Sequence, residues 1–217
     1  MYVGRIVAIA RTTAGNLGAL YRVSSRSFPN REAKVLDNAV AILPKAGYED
    51  DIHKNPYIAY NCVRLVGDRA VVTNGTQTDH VANKLADGQN MRDALVSVMH
   101  SMDYERDQLD TPRIAAVVDR TADNGYLAIV RKDALHVQAF DLQPGQAFYV
   151  ATYEHNVPGA HYQDDSFDAA AAADACTYIL GQGVFAELER PVTAACVLDR
   201  DGDWDVAVAD APQADEG

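Results

Sequence analysis

Short apolar segments, each closed by a turn, repeat through this chain and restrict it to a fold built on antiparallel β-hairpins. Residues 3–10 are an apolar run, Thr12-Thr13-Ala14-Gly15-Asn16 reads as a turn, and residues 17–24 return. Apolar runs bounded by such residues are strand signals, and antiparallel strands need only very short connections. After a break at 25–29, residues 35–43 are predicted as a further strand ending at Pro44, and 47–56 as a polar loop. Residues 58–66 pair with 70–73 across Gly67-Asp68, and 192–198 with 204–208 across Arg200-Asp201-Gly202-Asp203. Strands are also expected at 113–119, 125–131, 135–140 and 147–153.

Helical spacing is confined to two blocks. Asp79 is expected to cap a helix that carries Val81, Ala82 and Leu85 and stops at Gly88. Met91, Leu95, Val98 and Met102 then recur at helical intervals over 91–104. Asp165 or Ser166 is expected to cap an alanine-rich helix running through Leu180 to a stop at Gly181. Hairpins with segregated helices mean an α+β fold, two sheets stacked between helix layers. No linker or repeat divides the chain, so one domain is expected over 1–217, with a frayed tail at 211–217.

A chain of 217 residues is long enough to bury a substantial core. It holds no apolar run of about 18 residues, the length a membrane helix requires, and no basic leader with an apolar stretch opens it. Three cysteines, Cys62, Cys176 and Cys196, never form a C-x-x-C pair and suit a reducing, cytoplasmic setting. The formal charge of −12 disfavours binding to nucleic acid. Its make-up is skewed, with 24 Asp to 7 Glu and 14 Arg to 5 Lys. Dense carboxylates with few lysines suit a protein kept soluble in high salt, although an acidic protein from ordinary salt has the same arithmetic. The first 34 residues are the exception, carrying +5, which suggests a local anion site.

Several familiar motifs fail. Neither G-x-x-x-x-G-K-[ST] nor G-x-G-x-x-G occurs. The Asp199 to Asp203 run lacks the glycine position and the closing Glu of a calcium loop. Six scattered histidines offer no metal-ligand spacing, so no metal site is expected.

Three segments carry chemistry. Tyr21 to Arg31 (YRVSSRSFPNR) interleaves three arginines with three serines, and guanidinium forks with hydroxyls match what a phosphate accepts. A solvated, salt-bridged loop accounts for the same composition. Asn55 to Cys62 (NPYIAYNC) enters a strand with Tyr60 and Cys62 on one face and Tyr57, Ala59 and Asn61 on the other. Asp103-Tyr104-Glu105 ends a helix, where the negative end of the dipole raises carboxylate pKa values. An exposed acidic helix end is the plainer alternative.

Taken together with MYVGRI (1–6), NGT (74–76), TPRIAA (111–116) and PVTAA (191–195), these segments resemble the archaeal-type IMP cyclohydrolase family, over nearly the whole chain. The resemblance implies an αββα four-layer sandwich like that of N-terminal-nucleophile (Ntn) hydrolases, a homotetramer, and closure of a formamidoimidazole carboxamide ribotide to IMP. The opening Met1-Tyr2 offers no Ser, Thr or Cys for the usual chemistry of that fold, so the family fold and the family reaction are expected to part company.

The resemblance points to Arg31, Tyr60 and Glu105 as the catalytic set: Glu105 as proton shuttle, Tyr60 as donor near the reacting oxygen and Arg31 as charge stabiliser. Residue chemistry inside the matched motifs adds Arg22, Arg26, Ser24 and Ser25 for the ribotide phosphate, with Asn61 and Asn74 for base or ribose. No cofactor is expected, because the reaction transfers neither electrons nor an activated group. Two other classes stay open: a non-catalytic purine-nucleotide-binding module, and a different amide hydrolase on the same fold.

Overall fold

Alternation along the first strands decides which side chains meet which layer. In the computed structural model, which describes residues 1–122 and 124–212, β1 (Ile6–Arg11) sends Val7 and Ile9 to one face and Ile6, Ala8 and Ala10 to the other. β2 (Leu17–Ser24) does the same, with Leu17, Ala19, Tyr21 and Val23 opposite Leu20. The chain continues through β3 (Arg31–Val35), β4 (Ala39–Pro44), a short helix α1 (Asp51–Lys54), a 3-10 turn at Pro56–Ile58, β5 (Tyr60–Val66) and β6 (Arg69–Thr73). Helices α2 (Gln77–Ala86) and α3 (Met91–Met102) precede β7 (Arg113–Asp119), β8 (Asn124–Arg131), β9 (Ala134–Phe140) and β10 (Ala147–Ala151). β11 (Gln163–Asp164), α4 (Ala172–Gly181), β12 (Pro191–Arg200) and β13 (Asp203–Asp210) complete it.

Two antiparallel sheets result. One runs β11-β10-β1-β2-β12-β13, and the other runs β3 to β9 in chain order. They pack face to face over Val7, Ile9, Tyr21, Val23, Val40, Ile42, Cys62, Val72 and Ile114, among others. On the outer side of the six-stranded sheet, Ile6, Ala8 and Leu20 pack against Cys176, Ile179 and Phe185 of the α4 region. Outside the seven-stranded sheet, Ala115, Val117 and Ala128 meet Val81, Leu85, Leu95 and Met99 of α2 and α3. The order is therefore helix, sheet, sheet, helix.

Several boundaries move from their expected places. The strand expected at 35–43 is the hairpin β3–β4, whose turn closes with Leu36 N–H donating to Ala39 C=O at 2.8 Å. The loop expected at 47–56 contains α1. The first strand begins at Ile6, three residues late, because Gly4 at φ +72° bends the chain just before it. The helix assigned to an Asp79 cap begins at Gln77, and Asp79 sits in its first turn, accepting from Asn61 Nδ2 and Arg64 Nη1. Neither Asp165 nor Ser166 caps α4, which starts at Ala172. There the Asp174 carboxylate accepts from Ala171 N–H at 3.0 Å. The expected tail lies outside the described residues from position 213 onward.

Candidate active site between the two sheets

One end of the sandwich gathers segments distant in sequence. Tyr2 and Arg5 come from the approach to β1, Ser25, Ser27 and Phe28 from the β2–β3 connection, and Arg31 from the first position of β3. Asn55, Tyr57 and Ile58 come from the 3-10 turn before β5, Glu105, Asp107, Leu109 and Thr111 from the α3–β7 loop, and Tyr153 from beyond β10. Together they enclose about 470 Å³ of empty space, including its mouth. The pocket continues into an outer groove that shares Ser27, Phe28, Asn55, Tyr57, Asp107 and Leu109.

Glu105 is the buried acid of this pocket, with 1% of its surface exposed. Its own backbone N–H donates to Thr111 C=O at 2.8 Å, and the loop around it is tied by Asp107. That carboxylate accepts from the N–H groups of Leu109 and Thr111 and from the Thr111 hydroxyl. Arg5 Nη2 donates to Glu105 Oε2 at 3.1 Å, while Arg113 Nη1 lies 3.6 Å from Oε1. Oε1 has no hydrogen-bond partner. Burial pushes the Glu105 carboxyl above its ordinary pKa, and Arg5 and Arg113 pull it part of the way back. The direction matches the expectation from the helix dipole, but burial is the cause: Glu105 lies three residues past the end of α3.

Tyr60 and Arg31 form the other half. The Tyr60 hydroxyl meets that of Tyr21 at 2.5 Å in the layer between the sheets. Burial raises the Tyr60 pKa, opposed by the nearby guanidiniums of Arg31 and Arg5, so the phenol stays protonated through the neutral range. Arg31 is 3% exposed, donates from Nε to Phe28 C=O at 3.1 Å, and makes no ion pair among the described residues. Burial lowers its pKa, yet a guanidinium remains charged at neutral pH. A buried cation without a counter-ion is costly unless an anion or developing negative charge arrives.

Of the residues expected at the site, Arg31, Glu105 and Ser25 line the pocket, and Tyr60 lies behind it, close to the guanidiniums of Arg31 and Arg5. Arg26 stands at the rim, its guanidinium 4.2 Å from the Tyr2 ring centre and paired with Glu189. Arg22 and Ser24 do not reach the pocket. Alternation along β2 puts Tyr21 between the sheets and therefore turns Arg22 outward. There it donates to Ser24 Oγ and to the carbonyls of Ile179, Leu180, Phe185, Leu188 and Glu189. Burial lowers the Arg22 pKa to about 10.

Asn61 faces α2, bonded to Asp79. Asn74 is fully buried, donating to Pro112 C=O and accepting from Ile114 N–H and Gln77 Nε2. It braces the site from behind, because Gln77 Oε1 in turn accepts from Arg113 Nη1 at 2.9 Å. Arg5, Tyr2, Ser27, Tyr57, Thr111 and Tyr153 are pocket residues that the sequence reading did not assign to the site. Arg5 could have been found, since the same alternation that orients Val7 and Ile9 orients it between the sheets.

The family described as IMP cyclohydrolase-like protein matches residues 2–203, a span that contains every pocket residue. The chain belongs to that family. Within the IMP cyclohydrolase-like group it is 44% identical to the IMP cyclohydrolase of Methanosphaera stadtmanae, covering 95% of this chain and 98% of that protein. It is 44% identical to the IMP cyclohydrolase of Methanocella arvoryzae, over 98% of this chain and all of that protein. Against the IMP cyclohydrolase of Methanocaldococcus jannaschii identity is 42%, over 93% and 96%. As an IMP cyclohydrolase-like chain it is matched over residues 2–203, which takes in the pocket and every element up to the start of β13.

Proposed function

We propose that this protein is an IMP cyclohydrolase, closing 5-formamidoimidazole-4-carboxamide ribotide to IMP with loss of water. The observation that carries this is one cavity lined by Glu105 and by Arg31, a cation with no ion pair among the described residues, with Tyr60 close to Arg31, in a chain of this family.

The carboxamide nitrogen attacks the formyl carbon, forming a ring carbon–nitrogen bond. The nitrogen gives up a proton, and the formyl oxygen becomes a hydroxyl. That hydroxyl then leaves as water while the former formamide nitrogen loses its proton and the ring gains a carbon–nitrogen double bond. An amide nitrogen is a weak nucleophile, so holding it against the formyl carbon supplies several kcal/mol of the acceleration. Glu105 Oε1, whose acceptor capacity is unused, takes the proton from nitrogen and returns one to the leaving oxygen. Tyr60 and Arg31 stabilise the negative charge that develops on that oxygen.

Ser25 and Ser27, with Arg26 at the rim, are assigned to the phosphate, and the tyrosine-lined walls to the base. Arg22, Ser24, Asn61 and Asn74 are assigned no substrate contact. The helix–sheet–sheet–helix order supports the Ntn-hydrolase-like assignment, and the same reading makes the enzyme a cytoplasmic homotetramer. The Asp-rich surface is taken as salt adaptation, for which unfolding measured against KCl is the check: equal stability without salt removes that inference.

Incubation with the formamido ribotide, following the absorbance of IMP, tests the function. Binding of IMP without turnover would make the chain a nucleotide-binding module, and cleavage of an unrelated amide would make it a different hydrolase.

A further inference from the structure

Burial favours the neutral form of Glu105, so a base at this position needs something to keep its carboxylate ionised and aimed. Arg5 is built to do both. Alternation places it on the same face of the incoming strand as Val7 and Ile9, between the sheets. Its backbone is pinned on both sides by one residue: Arg5 N–H donates to Thr152 Oγ1 at 3.1 Å and Thr152 N–H to Arg5 C=O at 3.0 Å. Gly4 permits this fit. It has φ +72°, and a Cβ there would collide with Thr152 Oγ1 and lie 2.8 Å from the Tyr153 ring. From this anchor Arg5 reaches 100 residues along the chain to Glu105 Oε2.

The pair is asymmetric in a way that purely structural ion pairs are not. Oε2 is held at 3.1 Å, whereas Oε1 is buried without a hydrogen bond, 3.6 Å from Arg113 Nη1. Arg5 Nε is likewise buried without a partner. A pair selected for stability alone would satisfy these atoms, since each unsatisfied buried group is unfavourable. Arg113 adds charge at 3.6 Å from Oε1 but spends its short contact on Gln77, so it does not orient the carboxylate.

We propose that Arg5 is a positioning residue for ring closure, fixing Glu105 through Oε2 and holding it ionised so that the carboxylate can exchange a proton with substrate. The proposal rests on the cyclohydrolase reading of the pocket. The test is the pH dependence of kcat and KM for wild type, Arg5→Gln and Arg5→Lys. Arg5→Gln should lower kcat by about tenfold or more, change KM less, and move the acid limb of kcat upward by about one pH unit or more, the effect of removing a neighbouring opposite charge. Arg5→Lys should return the limb towards its wild-type position while recovering only part of the rate, because an ammonium keeps the charge and loses the fork. A wild-type acid limb in Arg5→Gln, or a loss confined to KM, overturns the proposal.

Carboxyl-carbon NMR titration of Glu105 in the folded protein needs no turnover. A higher midpoint in Arg5→Gln supports the proposal and an unchanged one overturns it. If wild type forms no IMP, the cyclohydrolase reading fails by itself, and the titration still decides what Arg5 does to Glu105.

Discussion

Tyr21 and Tyr60 meet hydroxyl to hydroxyl at 2.5 Å, one from each sheet. The contact makes the position of a proposed catalytic phenol depend on how the two sheets are stacked. Tyr60→Phe should lower kcat by about a hundredfold or more if its O–H acts on the reacting oxygen. Tyr21→Phe should cost less, because it removes only the orienting partner, and it should reduce stability by about 1 kcal/mol for the lost hydrogen bond. The double variant should be no slower than Tyr60→Phe. Steady-state kinetics on the three proteins reads this coupling directly, and additive losses would count against it.

Arg22 sits in the segment that charge alone recommends for phosphate, yet its guanidinium is filled with backbone carbonyls. Arg22→Met should therefore destabilise the fold, on the order of 3 kcal/mol, by leaving those carbonyls unsatisfied. Turnover per folded molecule should be unchanged. Urea unfolding combined with kinetics separates the two roles, since a raised KM at unchanged stability would restore Arg22 to the phosphate.

The raised Glu105 pKa has a signed consequence for stability. Between the unfolded and folded pKa values the native state holds a proton that the unfolded chain has released, so stability falls as pH rises through that window. The contribution is fully present below the unfolded value, about pH 4, and lost above the folded one. Glu105→Gln cannot titrate. The stability of wild type relative to Glu105→Gln should thus decline as pH rises from about 4 to neutrality, as urea midpoints across pH will read. Activity runs the other way: kcat of wild type rises through the same folded pKa as the base ionises.

Gly75 is hemmed in by the proposed proton-transfer group and its neighbours. A Cβ added there would lie 2.6 Å from Gln77 Oε1, 2.9 Å from Arg113 Nη1 and 3.3 Å from Glu105 Oε1. Gly75→Ala should displace the pair by a few tenths of an ångström or more and lower kcat by about tenfold to a hundredfold, with KM less affected. Near-normal kcat in a folded Gly75→Ala protein would show that the geometry around Oε1 is forgiving.

How much of this was legible beforehand depends on the range over which each residue's partner lies. The hairpins were readable because strand, turn and return strand are neighbours in sequence. The turn at 36–38 was hidden because Leu36 is apolar, although it is exposed in the fold and marks no core position. The face of Arg22 was also locally encoded: a core tyrosine at 21 sends residue 22 the other way. Charge composition pointed to the right segment and the wrong side of it. Arg5 and Glu105 are a different case, since nothing within ten residues of either announces the other. Asn74 and Gln77 belong to the same class, their role visible only once Arg113 packs against them.

The two sheets also differ in how they can be assembled during synthesis. Every strand of β3 to β9 pairs with its neighbour in sequence, across tight turns except at β4–β5 and at β6–β7, where α2 and α3 intervene, so this meander can form as it emerges. The six-stranded sheet joins the hairpin at residues 6–24 to strands beyond residue 147, which forces the first hairpin to wait for more than half the chain. During that delay a hairpin whose strands are buried in the finished fold has no permanent cover, and this is the interval in which aggregation or chaperone capture competes with folding. Arg5 lies immediately before that hairpin, so its pairing with Glu105 is among the last contacts of the molecule to form.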